Sequence, residues 1–285
     1  MLVLLLLLLL TAPATAGTCD TWATPPQQVG TVPEELRELS GLAASRRHPG
    51  ILWAHNDSGN TFTLYALHED GSIVARFPVR GGTARDAEDI TVARCAPDEA
   101  RTCIYLADIG DNGQRRKQVT IFKIPEPATL TDGPLEATPL HFIYDEGPRN
   151  AEVILVDPRT GRIFIVSKVL SSLGDVFRVD NLGARTGGTA VRVRRLRPAK
   201  EFDSYTTSAS VHPDGKRILL RTYGRAWELR APDARSFEDV LDATPIEVPS
   251  SSQPQAEAIT YSADGMSYFL GSEGVGSPIY RVNCK

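Results

Sequence analysis

Short apolar runs, separated by turns rich in Gly, Pro, Asp and Asn, follow one another from residue 39 to the end of the chain. No long stretch keeps the helical period, so the pattern predicts an all-β protein. The runs also repeat. Five segments share one order of events: strand, polar turn, strand, polar loop, strand. The first reads "LSGLAAS", "ILWAHNDSG", "FTLYALHEDG"; the second "AEDITVAR", "CIYLADIGDN", "VTIFKIPEP"; the third "AEVILVDPRTG", "RIFIVSKV", "DVFRVD". The fourth reads "TTSASVHPDG", "KRILLRTYG", "RAWELR", and the fifth "AEAITYSADG", "MSYFLGSEG", "PIYRVNC". A fourth strand follows each of the first four, in "SIVARFPV", "ATPLHFIYD", "AVRVRRLRP" and "ATPIEVPS". The fifth segment ends with the chain, and "QQVGTVP", ahead of the first, is available to complete it. The expectation is a five-bladed β-propeller over 17–285, closed by residues 27–32 as the outer strand of the last blade. A six-bladed ring with one degenerate blade is the rival, and no spare segment is long enough for it.

In a propeller blade the first strand lines the central channel. Aligning the repeats on their second strands puts Ser40, Glu88, Glu152, Thr207 and Glu257 in one column. Glu152, Thr207 and Glu257 each precede the centre of the next strand (Phe164, Leu219, Phe269) by twelve residues, as Ser40 precedes Leu52. Glu88 needs an allowance for a longer loop. Ser208 lies one register from Thr207, and strand alternation selects Thr207 because it keeps Ala209 and Val211 in phase with Ile259 and Tyr261. Three carboxylates sharing one channel do not all stay ionised without a counter-charge. A hard dication suits this oxygen set. Ca²⁺ takes about six to eight oxygen ligands, and Mg²⁺ demands tighter octahedral geometry. The histidines are scattered, so nothing points to zinc. The alternative is that the glutamates bind channel water or neighbouring Arg.

"ELSGL", "DAEDI" and "QAEAI", with the Ser–Glu–Glu–Thr–Glu order, resemble the calcium-activated nucleotidases, or soluble apyrases. The resemblance implies a five-bladed propeller with a central calcium held by one residue per blade, here Ser40, Glu88, Glu152, Thr207 and Glu257. Thr207 stands where that family has serine. The family's nucleotide-contacting residues find no match outside the ring. "LADIGDN", "RTYGRAWE" and "AEVILVDPRTGRIFIVSK" resemble, more closely, a group of exported bacterial propeller proteins of unassigned activity.

The apolar run "MLVLLLLLLLTAPATAG" ends in a small-x-small pattern, Ala14-Thr15-Ala16, and predicts a signal peptide over 1–16. A secreted or periplasmic location follows, with no transmembrane anchor. Four cysteines in an exported chain predict two disulfides, with three pairings open. The economical pairing joins Cys95 to Cys103 across a short polar loop and Cys19 to Cys284 at the chain ends. Net charge is −4, so no global field favours nucleic acid. A monomer is expected.

Chain direction puts the loops after the second strands on the same face as the column. That mouth gathers Asn56, Asp57, Asp108, Asp111, Asn112, Lys168, Arg221 and Glu273 as a ligand-binding rim, with Tyr223 and Arg225 beside them. Arg85, Arg149 and Lys200 come from the loops leading into the first strands. Mixed carboxylates and guanidinium groups suit a small phosphorylated or carboxylated ligand, or an envelope or extracellular protein. Asp57-Ser58-Gly59 and Asp111-Asn112-Gly113 also read as ordinary turns. Asp108 ends an apolar strand three residues before Asp111, a pair able to hold a water or a second cation. "HPG", "PRTG", "HPDG" and "SADG" read as hairpin turns on the opposite face. Ser272 is the serine best placed at the mouth, but it has no assignable histidine, and a nucleophilic triad needs that base. Two functions remain: a ligand- or protein-binding module with a calcium site, and a Ca²⁺-dependent hydrolase of phosphorylated compounds.

Overall fold

The computed structural model describes residues 17–170, 172–183, 187–197 and 204–285; the expected leader, 1–16, and Lys200 lie outside them. The described chain is all-β apart from a 3-10 turn at Glu34–Leu36 and the short helix Phe237–Leu241. Its arrangement is propeller-like. Each of the five segments forms an antiparallel unit. The five first strands are Leu39–Ala44, Ala87–Arg94, Ala151–Val156, Thr206–Val211 and Ala258–Tyr261. They contact one another in chain order, and the fifth returns to the first. Outer strands follow at Ile73–Arg80, Thr138–Tyr144, Gly188–Leu196 and Ile246–Val248.

The fifth unit takes its outer strand from the other end of the chain. Gln27–Thr31 pairs antiparallel with Pro278–Asn283, Gln27 opposite Arg281 and Thr31 opposite Pro278. Trp22 bridges to Cys284, and Cys19 and Cys284 form a disulfide with Cα atoms 5.5 Å apart. Cys95 and Cys103 form the second, with Cα atoms 4.9 Å apart. The terminal disulfide closes a far longer loop, so it restricts the unfolded chain more. Replacing Cys19 and Cys284 by serine is expected to lower stability by roughly 2–4 kcal/mol. The Cys95/Cys103 pair should cost less; denaturant unfolding of both double variants measures the difference.

Period-two alternation sends successive side chains of one strand to different neighbours. Val153 and Leu155 pack against the fourth unit, with Ile218, Leu220 and Trp227, while Ile154 and Val156 pack against the second, with Tyr105, Ile121 and Phe142. Each remaining adjacent pair of units shares its own apolar cluster, and one of these joins the fifth unit to the first through Ala258, Phe269 and Ile279. The helix Phe237–Leu241 caps the cluster between the third and fourth units, with Phe237 stacked 4.8 Å from Phe164. The four hairpin turns on the far face end in Gly50, Gly161, Gly215 and Gly265, all with φ between +70° and +77°, where a Cβ is strained.

Two parallel pairings at the rim were not legible beforehand. Val79 and Arg80 pair with Leu135 and Glu136, and Phe142–Tyr144 pair with Gly188–Ala190. They join outer edges of neighbouring units and cover strand edges that would otherwise be open.

Candidate functional site

The expected column is a structural feature of the backbone. In four of the first strands the ladder shifts register at one residue, and that residue is Ser40, Glu88, Glu152 or Thr207. Glu257 lies immediately before the fifth first strand, at the corresponding place. Three residues on, Thr91, Leu155, Ser210 and Thr260 face Tyr105, Phe164, Leu219 and Phe269, while Ala43 faces Trp53, because the first hairpin is one residue longer than the last three. A bulge inserts one residue and re-aims its side chain out of the pleat. The same device thus re-aims four polar side chains, and Glu257 takes the corresponding place ahead of the fifth strand.

The two hydroxyls are held by backbone. Ser40 Oγ donates to Glu88 O at 2.7 Å and Thr207 Oγ1 to Ala256 O at 2.6 Å. The carboxylates have diverging partners. Glu152 Oε1 lies 3.0 Å from Lys168 Nζ, and Glu257 accepts from the Tyr223 hydroxyl. Glu88 hydrogen-bonds to Glu152 and also approaches Asp57 and Asp86; oxygens of Glu88, Asp57 and Asp86 lie within 4.8 Å of one another. It is the one group among the described residues with the spacing for a single ion. An ammonium thus holds Glu152 and a phenol holds Glu257, while Glu88 joins Asp57 and Asp86 in one acidic group.

Burial first, then Glu152, Asp57 and Asp86, hold Glu88 well above the usual carboxylate range. Burial also raises Glu152, with Lys168 opposing. Burial, Glu152 and Glu273 push Glu257 up to about 8 against Lys168 and Tyr223. Asp57 and Asp86 are raised as well, each chiefly by burial. Five carboxyl groups thus share one ammonium in direct contact. The donors are all oxygen, the set a hard cation requires. Gly110 leaves the space: a Cβ built there would collide with Glu88 Oε1 and Asp86 Oδ2. The calcium implied by the resemblance fits these residues, with Asp57 and Asp86 added to the expected donors.

The "DIGDN" segment builds the wall of this group. Asp108 is buried and does not pair with Asp111 to hold a second cation; Arg116 fills that role from within the chain. Its guanidinium donates to Asp108 Oδ1 at 3.0 Å and Oδ2 at 2.8 Å, and its backbone N–H to Asp111 Oδ2 at 2.7 Å. Asp108 Oδ1 also accepts the N–H of Asp86 at 2.8 Å. It thereby positions the loop that carries Asp86. Asn150 Oδ1 accepts the Asp111 N–H at 2.7 Å, and Asn150 Nδ2 donates to Asn112 Oδ1 at 3.1 Å.

Of the remaining rim residues, Asn56 stitches its loop to Glu35 O and the Glu38 N–H, and Glu273 is anchored by its N–H to Gln255 O at 3.0 Å. Arg221 is not at the rim. It is fully buried at the junction of the fourth and fifth units, with Nη2 donating to Gln253 Oε1 at 2.6 Å. Strand phase explains this, because Arg221 shares the phase of Leu219, which packs into the cluster between those units. Ser272 is also fully buried, and its hydroxyl donates to Gln255 O at 2.6 Å, so it is not a poised nucleophile. The residues two positions before the column are Glu38, Asp86, Asn150, Tyr205 and Gln255. Each meets a mouth residue: Asn60, Asp57, Asp111, Lys168 and Glu273 in turn. None of these five is assigned a role from the sequence.

Beneath the mouth lies Asp89, whose importance the sequence reading missed. It is fully buried and accepts the Ile154 N–H at 3.1 Å and the Ser208 hydroxyl at 3.0 Å, together with the N–H groups of Ile90 and Ala209. Ser208 accepts the Ile259 N–H at 3.3 Å. A second tier follows: Ser210 accepts the Tyr261 N–H at 3.1 Å, and Thr260 Oγ1 accepts the Ala44 N–H at 3.2 Å. Polar side chains thus satisfy inner-edge backbone donors from one unit to the next.

No protein-family model and no curated protein matches the chain. Among solved structures, one titled "Structure of U3-55K" is similar at 14% identity and a TM-score of 0.42, covering 86% of this chain and 67% of that one. No helix among the described residues is long and apolar enough to cross a membrane.

Proposed function

We propose that the chain is an exported five-bladed β-propeller whose mouth binds a hard divalent cation, Ca²⁺, and through it a small anionic ligand or an extracellular protein. The observation that carries this reading is the surplus of buried carboxylates: Glu88, Glu152, Glu257, Asp57 and Asp86 have one ammonium in contact, and burial raises all five. Five-fold closure is supported by the cyclic contact of the first strands and by the terminal strand that completes the fifth unit. Export is supported by the apolar leader and by two disulfides. Bound there, Ca²⁺ would neutralise the carboxylates and offer a positive centre to an anion. Beside Asp86 a cleft of about 300 Å³ is lined by Arg85, Asp111, Arg115 and Arg116, which suits a phosphorylated or carboxylated ligand. Hydrolysis of such a ligand is the second reading. It rests on that cleft alone, since Ser272 is engaged by backbone.

Thermal unfolding with Ca²⁺, Mg²⁺ or chelator tests the cation. Binding to the folded form stabilises by RT ln(1 + [L]/Kd), about 2.7 kcal/mol at one hundred times Kd. Ca²⁺ is expected to raise the melting temperature and Mg²⁺ to raise it less. A melting temperature indifferent to both ions would defeat the proposal.

A further inference from the structure

Lys168 follows the second strand of the third unit, and its backbone is fixed there: its N–H donates to Asn150 O at 2.9 Å. The ammonium lies 3.0 Å from Glu152 Oε1 and 5.9 and 5.8 Å from the ring centres of Tyr205 and Tyr223. Its charge also acts on Asp57, Glu257 and Glu273. Among the described residues no other Lys or Arg forms an ion pair with Glu88, Glu152 or Glu257. An ammonium and a divalent cation that need the same carboxylate oxygens exclude one another. Two aromatic faces within about 6 Å give a displaced ammonium somewhere favourable to go.

We propose that Lys168 is a tethered cation that occupies the acidic mouth in place of the metal and is displaced by it onto Tyr205 and Tyr223. Lys168 then sets the affinity of the site and keeps it folded when no metal is bound. This rests on the cation reading above. The effect is the reverse of a ligand residue: removing Lys168 strengthens metal binding.

Calcium titration calorimetry on the whole chain, with Lys168→Met and Lys168→Arg beside wild type, tests it. Lys168→Met keeps the apolar stem and removes the charge. It is expected to bind Ca²⁺ roughly tenfold or more tightly, within the usual range for two coupled ligands, and to melt lower than wild type in chelator. Lys168→Arg keeps the competing charge and should bind no more tightly than wild type. In 1 M NaCl the screening length is about 3 Å, so a distant field effect disappears while direct competition persists. Equal or weaker Ca²⁺ binding by folded Lys168→Met, with wild-type binding intact, overturns the competition and leaves the cation reading in place. A gain that vanishes in 1 M NaCl also overturns it. No Ca²⁺ binding by either folded protein overturns the cation reading, and the competition falls with it.

Discussion

Asp89→Ala is expected to lower the stability of the chain by roughly 4 kcal/mol or more, since each of four buried donors left without an acceptor costs about 1–3 kcal/mol. The carboxylate accepts from Ile154, Ser208, Ile90 and Ala209, drawn from three different units. Truncation orphans all four donors. Asp89→Asn keeps one acceptor oxygen but turns an NH₂ group toward donors, so it should recover only part of the loss. Urea unfolding of the two variants measures this. A change below about 1 kcal/mol for Asp89→Ala, the level of an ordinary surface substitution, would mean that water serves those donors equally well.

In chelator, stability is expected to fall by several kcal/mol as pH rises from about 4.5 to about 8. Glu257 ionises near 4.5 when unfolded and near 8 when folded. A carboxyl raised by folding stabilises the native state while it is protonated. Over the interval between the two values the unfolded state loses its proton first, so stability drops, by up to about 1.4 kcal/mol per pH unit per group. Glu88 and Glu152 are raised as well and act in the same direction. With Ca²⁺ present the ionised forms gain a partner and the slope should flatten. Denaturant midpoints across this pH range, with and without Ca²⁺, read both effects. A chelator curve that is flat, or that rises with pH, would show that Lys168 alone balances the cluster.

Much of this architecture was written in the spacing of the chain. Hairpins of constant length carry Glu152, Thr207 and Glu257 to one register; the hairpin after Ser40 is one residue longer, and the Cys95–Cys103 loop lengthens the one after Glu88. The terminal strand and both disulfides followed from counting strands and cysteines. Side-chain direction was harder. Arg221 looked like a rim residue because a polar loop follows it, yet its phase with Leu219 points it inward. Asp108 looked free because Arg116 lies across a loop in a run that reads as solvated. Asp89 was overlooked because the residues following the other column members are Gly41, Val153, Ser208 and Ala258, which suggest packing. A carboxylate among them was itself the signal. The short helix Phe237–Leu241 is marked only by its capping box, Ser236 with Asp239, since five residues are too few for a period. The two parallel rim pairings join segments far apart in sequence and leave no local trace.

The central claim is that the acidic group around Glu88 holds a divalent cation. Equilibrium dialysis with radioactive Ca²⁺ tests it most directly, on wild type, on Glu88→Gln, and on Glu247→Gln, an exposed carboxylate of the outer edge. Glu88→Gln keeps the shape of the side chain and removes its charge. Wild type and Glu247→Gln are expected to retain one ion per chain, and Glu88→Gln to lose it. Equal retention by folded Glu88→Gln, or no retention by wild type, would contradict the account.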